Sequence, residues 1–122
     1  MNIEKYWEST LKQRAEEMRK FFHPKAKVRF HNTNEEFTVD EFIEINCEYP
    51  GSWNGVIERI EKIGRIQIIV LQVFDREQNL FFHVTSFMEI EEDKIVSIDE
   101  YWGEDGCPPQ WRLDKKIGKR IK

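Results

Sequence analysis

His83 titrates near neutral pH and is the first side chain in this sequence to consider for proton transfer. Its usefulness depends on neighbours delivered from elsewhere in the chain. Gln72 could fix its tautomer, Trp102 could wall it off, and Glu100 could set its pKa. Glu100 or Asp99 could itself serve as a general base. Beside these stand plainer readings: a structural histidine bonded to Gln72 or Glu100, and a carboxylate that only pairs with Arg59 or His83, since ion-pair networks also shift pKa values. Tyr49, Trp53, Tyr101, Trp102 and Trp111 offer flat amphipathic faces, suited to an apolar ligand or to filling a core. His23, His31, His83, Cys47 and Cys107 show neither i,i+4 nor C-x-x-C spacing, so no metal site and no cofactor is expected. No base accompanies Cys47 in sequence, which points to a small buried residue rather than a nucleophile.

These residues sit on a chain of 122 residues, 39% hydrophobic and 34% charged, enough for one domain spanning 1–122. No stretch approaches the roughly 18 apolar residues of a membrane helix, and Met1-Asn2-Ile3-Glu4-Lys5 lacks a signal peptide's apolar core, so a cytoplasmic protein without membrane contact is expected. The formal charge is −4, unevenly spread: Leu113–Lys122 carries +4, leaving −8 on residues 1–112. An acidic body with a short basic tail argues against nucleic acid as a partner. The tail is expected to be solvated, with Leu113, Ile117 and Ile121 touching the domain.

The elements that must position the candidates can be read from periodicity. Ile3, Trp7, Leu11, Ala15, Met18 and Phe22 recur every three or four residues, which predicts one helix over 3–22, stopped by Pro24. Lys27 to Asn32 alternates like a half-buried strand. Thr38 and Glu41 form a capping box, with Phe37 and Phe42 as its hydrophobic staple, and the helix they open ends at Pro50-Gly51. Four extended segments follow, near 54–63, 65–76, 79–91 and 94–103, joined by short gaps at Ile63-Gly64, Glu77-Gln78 and Glu92-Asp93 that require antiparallel neighbours.

Counted outward from those gaps, Gly55, Gln72, His83 and Trp102 form one row across the sheet. Ile57, Val70, Thr85 and Glu100 form the next, followed by Arg59, Ile68, Phe87 and Ile98, all on one face. The opposite face carries Ile69, Leu71, Val73, Phe82, Val84, Met88, Ile90 and Ile95 and is at least as apolar. Two helices cover only one face of such a sheet, so the other is expected to pair with a second copy of the chain as a homodimer.

The order helix, strand, helix and long antiparallel sheet resembles the NTF2-like fold, an α+β cone. Lys94-Ile95-Val96-Ser97-Ile98-Asp99-Glu100-Tyr101-Trp102-Gly103 looks like the closing strand of SnoaL-like proteins. Together with Phe30–Asn34, Asn46–Trp53 and Phe82–Phe87 it is similar to a bacterial branch of that superfamily. The resemblance implies helices closing over the concave face of a curved sheet, a pocket at the wide end, and a partner on the convex face. It implies a cavity lined by Arg59, Gln72, His83, Thr85, Glu100 and Trp102, with Tyr49 and Trp53 near its mouth and a small, mostly apolar ligand inside. The acid, base and tyrosine set of ketosteroid isomerase does not map onto these residues, nor does the His-Asp pair of scytalone dehydratase. Three functions therefore stay open. The chain could be a small-molecule-binding domain, an isomerase, dehydratase or cyclase shuttling protons through His83 and Glu100, or a dimerisation module with a vestigial pocket. The segment 104–122 is a proline-stiffened loop and basic tail that could bring Trp111 and Arg112 over the pocket as a lid, or only carry the chain back along the sheet.

Overall fold

The computed structural model describes residues 1–122. Asn2 opens the first helix, α1 (Ile3–Leu11), by accepting the Lys5 backbone N–H on its side-chain oxygen at 3.0 Å, which satisfies one of the donors a helix start leaves free. The single helix expected over 3–22 is broken after α1. Gln13 takes a left-handed φ of 57°, and the Arg14 N–H closes on the Ser9 carbonyl at 2.9 Å, so the chain caps itself and restarts as α2 (Ala15–Arg19). The spacing of three and four persists across the break because Trp7 of α1 and Met18 of α2 enter the same core. Pro24 does not end a helix; it lies inside β1 (Phe22–Phe30), where the ladder is irregular between Phe22 and Lys27 and its missing N–H is tolerated.

A short strand that the alternation did not reveal, β2 (Glu35–Thr38), pairs antiparallel with β1. The capping box forms as expected: Thr38 Oγ1 accepts the Glu41 N–H at 3.2 Å and Glu41 Oε1 accepts the Thr38 N–H at 2.8 Å. It starts α3 (Val39–Glu48), and Phe37 and Phe42 both pack edge-on against Phe30, at 5.0 and 6.0 Å. The remaining strands are β3 (Trp53–Ile63), β4 (Ile66–Asp75), β5 (Phe81–Glu91) and β6 (Lys94–Glu104), followed by a one-turn helix, α4 (Gln110–Asp114). They form one sheet in the order β2-β1-β6-β5-β4-β3, antiparallel except where β1 joins β6. Glu92 and Asp93 both take positive φ in the last hairpin, the conformation Asp tolerates. No helix is long and apolar enough to cross a membrane.

Register decides what this sheet can do. Gln72 pairs with His83 as the count from the turn requires. Between β5 and β6 the count holds only as far as Ile90 opposite Ile95; Val96 is then an extra residue, and beyond it Ser86, not Thr85, faces Glu100, while Val84 faces Trp102. Between β3 and β4 the turn is Gly64-Arg65 rather than Ile63-Gly64, and Glu58 is a second extra residue, so Arg59 pairs with Val70 and Val56 with Gln72. Each bulge turns the far half of its strand over.

The consequence corrects the expected assignment of faces. The helices cover the face bearing Ile69, Leu71, Val73, Val84 and Met88, all buried, and Ile98, Glu100 and Trp102 have joined it. Arg59, Gln72, His83 and Thr85 lie on the other, outer face. Gly55 marks where α1 meets the inner face: a Cβ there would stand 2.8 Å from Leu11 Cδ1 and 3.2 Å from the Gln72 carbonyl.

Candidate functional site

The inner face does not fill completely. A cavity of about 410 Å³ opens between the helices and the wide end of the sheet. Trp7 and Thr10 from α1, Phe42, Ile45 and Asn46 from α3, and Tyr49 and Trp53 after it form one side; Phe30, Val73, Phe82, Glu100 and Trp102 from the sheet form the other. The aromatic rings run as a chain, Tyr49 to Trp53 at 5.5 Å, Trp53 to Phe82 at 6.0 Å and Phe82 to Trp102 at 6.4 Å between centroids. The Trp53 indole N–H donates to the Pro50 carbonyl at 3.0 Å, which orients this wall.

Glu100 is the only carboxylic acid among the lining residues, which include no Lys, Arg or His, and is 2% exposed. Its Oε1 accepts the Trp102 indole N–H at 3.1 Å, while Oε2 is buried without a partner. Burial without a cation pushes its carboxyl up to about 7, and the Trp102 indole and the Ser86 hydroxyl only partly oppose that. That hydroxyl is buried directly across the ladder from Glu100. From α1 comes the buried, unpartnered phenol of Tyr6, held well above its ordinary pKa by burial and by the nearby Glu100 charge. Glu100 is thus a carboxylic acid able to exist in either protonation state near neutral pH.

Two of the amides around the cavity are oriented by backbone carbonyls, and a third, Asn32, accepts the Trp102 backbone N–H on its oxygen at 2.8 Å. Gln13 Nε2 donates to the carbonyls of Asn46 and Tyr49 at 2.9 and 2.6 Å, and Asn46 Nδ2 donates to the Thr10 carbonyl at 2.9 Å. Only NH₂ groups can make those bonds, so these two amide oxygens are left over. Gln13, at the left-handed break after α1, was not anticipated as a lining residue, and neither was Asn46; a break that preserves hydrophobic periodicity leaves no trace in the sequence.

Of the eight residues expected around a pocket, the structure brings Tyr49, Trp53, Glu100 and Trp102 together and leaves Arg59, Gln72, His83 and Thr85 on the outer face. Arg59 there pairs with Glu61 at 3.0 Å. His83 has its own setting: Nδ1 lies 2.5 Å from Asp105 Oδ1 and Nε2 3.0 Å from the bulged Glu58, while Gln72 Nε2 donates to Asp105 at 3.2 Å. Asp105, then Glu58, raises the imidazole pKa. The glutamate is held low first by Lys122, with which it pairs. Asp99 lies on the outer face too, 2.7 Å from His31 Nε2, and His31 stacks on Tyr101 at 4.5 Å. His83 and Glu100 therefore cannot act on one substrate. Phe74 and Phe87, outer-face residues, do not close the cavity.

Trp111 is 63% exposed on α4 and lines no part of the cavity; Leu113, Ile117 and Ile121 are exposed rather than packed on the domain. Cys47 is half-buried against Met18, and burial raises its thiol pKa, which disfavours the nucleophilic thiolate. No group of three His, Cys, Asp or Glu side chains is arranged to hold a metal ion.

No protein-family model matches the chain, and no curated protein is similar to it in sequence. Solved structures do match. A protein from Kribbella flavida DSM 17836, described as a candidate ketosteroid isomerase, is 19% identical with a TM-score of 0.80, covering 98% of this chain and 86% of its own. An NTF2-like protein of unknown function from Burkholderia xenovorans LB400 is 16% identical with a TM-score of 0.79, over 98% and 92%. A SnoaL-like polyketide cyclase candidate from Jannaschia sp. CCS1 is 10% identical with a TM-score of 0.69, over 82% and 81%. The helices on one face of a curved, unclosed six-stranded sheet, and these matches over nearly the whole chain, give the protein the NTF2-like fold.

Proposed function

We propose that the protein binds a small, mostly apolar molecule in the cavity beneath α1 and α3. The observation that carries this reading is an aromatic-walled space of about 410 Å³ whose one carboxyl group, Glu100, keeps an unpartnered oxygen. A cavity of that size and lining suits a compact organic ligand held by apolar contact and oriented by one polar group. A proton-transfer enzyme is a second reading, favoured by the near-neutral pKa of Glu100; in it Glu100 acts without His83. Titration with Nile red tests the binding reading. One dye per chain is expected, with its emission shifted to the blue, and Ile45→Trp, which adds bulk at a partly exposed lining position, should abolish the shift while leaving the melting temperature near that of the parent. Equal dye binding by parent and variant would place the dye elsewhere and overturn the reading.

The partner proposed is a second copy of the chain, docked through the outer face. That face exposes Val56, Ile63 and Tyr101 at 53, 65 and 46% beside the half-buried Ile68, Val70 and Phe87. Light scattering at micromolar concentration is expected to give the mass of two chains, and a single-chain mass would reject it.

A further inference from the structure

Resting on the binding reading above, we propose that the cavity selects a small organic cation, an alkylammonium with apolar substituents, with Glu100 as its counter-charge. Three features of the lining point this way. The walls present aromatic faces, whose negative quadrupoles attract a cation. Part of the polar lining is left as acceptors: Gln13 and Asn46 donate to backbone carbonyls and Glu100 Oε2 has no partner, while Asn32, whose Oδ1 accepts the Trp102 backbone N–H, keeps a neutral NH₂. No Lys, Arg or His side chain lines the space, so an anionic ligand would meet a buried carboxyl with nothing to neutralise its own charge. The Trp7 indole N–H and the hydroxyls of Tyr6 and Ser86 are donors in the opposite sense, but they are neutral and do not balance the charge of a carboxylate as a cation does. A neutral ligand would use the aromatic walls and leave the carboxyl no reason to ionise.

The proposal has a definite sign with pH. The group facing Glu100 from α1 is the Tyr6 phenol, which stays protonated; β5 offers Ser86, β1 offers Phe30 and α3 offers Phe42, none of them charged. A cation needs Glu100 ionised. Its affinity should therefore rise about tenfold per pH unit below about 7 and level off above, and binding near pH 7 should release protons.

The test compares choline with its uncharged isostere 3,3-dimethyl-1-butanol, followed by quenching of tryptophan fluorescence and by calorimetry in buffers of different ionisation enthalpy. The expected result is a preference for choline of at least about tenfold at pH 8, lost at pH 5, with proton release in between. Glu100→Gln should lose choline and keep the alcohol; should that variant fail to fold, the pH profile and proton release of the parent protein decide alone. Binding of the alcohol with equal or greater affinity at every pH would overturn the cation and leave the apolar pocket standing. Binding of neither, up to tens of millimolar, would overturn both.

Discussion

Two acid–base groups on one sheet, Glu100 and His83, both hold their protons more tightly than usual, for opposite reasons. Glu100, on the inner face, is raised because burial penalises its charge and no cation compensates. His83, on the outer face and 40% exposed at its side chain, is raised because Asp105 and Glu58 favour its charged form. The first is left uncompensated inside a cavity. The second is balanced by its neighbours and anchors the loop after β6 and, through Lys122, the basic tail. A shifted pKa alone therefore does not identify a site; what distinguishes the two is whether protein groups have already answered the charge.

The contrast can be tested at three scales. The largest effect concerns the apolar layers around the two groups. Leu71→Ala, on the inner face at 1% exposure, should cost about 3 kcal/mol in chemical denaturation, whereas Val70→Ala, its half-buried neighbour on the outer face, should cost about 1 kcal/mol when both are measured at a dilution where the chain is monomeric. Equal costs would mean that the outer face is buried as deeply in solution as the inner.

Next comes Glu100→Gln. The folded carboxyl binds its proton more tightly than the unfolded one, so the native state holds more protons between pH 4.5 and about 7, and stability falls as pH rises through that window. An uncharged amide removes the loss. The variant should match the parent at pH 4 and exceed it by up to about 3 kcal/mol at pH 8, read from melting curves at both pH values. A parent whose stability is flat from pH 4.5 to 7 would show that Glu100 is not desolvated.

The smallest effect belongs to His83→Gln. A raised histidine pKa gives stability that is complete below about 6.5 and disappears as pH rises through the folded value. Because the ion pairs are solvent-screened, the loss below pH 6 should stay within about 1 kcal/mol, and the cavity probes should bind unchanged. Weakened probe binding would couple the two faces that the register separates.

Much of this architecture was readable in advance where local chemistry specifies it. The capping box at Thr38 and Glu41 marked the start of α3 to the residue, and the β4–β5 register followed from its turn. The break at Gln13 was not, because α2 resumes the hydrophobic spacing of α1. Strand β2, at four residues, is too short for alternation to show, and the parallel union of β1 with β6 joins segments some seventy residues apart. The site was half legible for one reason. A bulge carries no obligatory residue type, so the extra residues at Glu58 and Val96 are silent in sequence while reversing the faces of Ile57 and Glu100 relative to the simple count.

Val96 acts on this sheet as an inserted base acts on a reading frame. Every side chain between it and the end of β6 is translated to the other side, so Glu100 and Trp102 fall into the cavity while Asp99 and Tyr101 fall outside. Removing that one residue would restore the opposite phase, exporting the buried acid and bringing Asp99 and Tyr101 in, with no substitution at any residue that lines the cavity. On such a scaffold a single-residue insertion or deletion in a hairpin arm is a larger chemical step than any substitution in the pocket, and relatives of the same shape can differ in which half of a strand they offer to solvent.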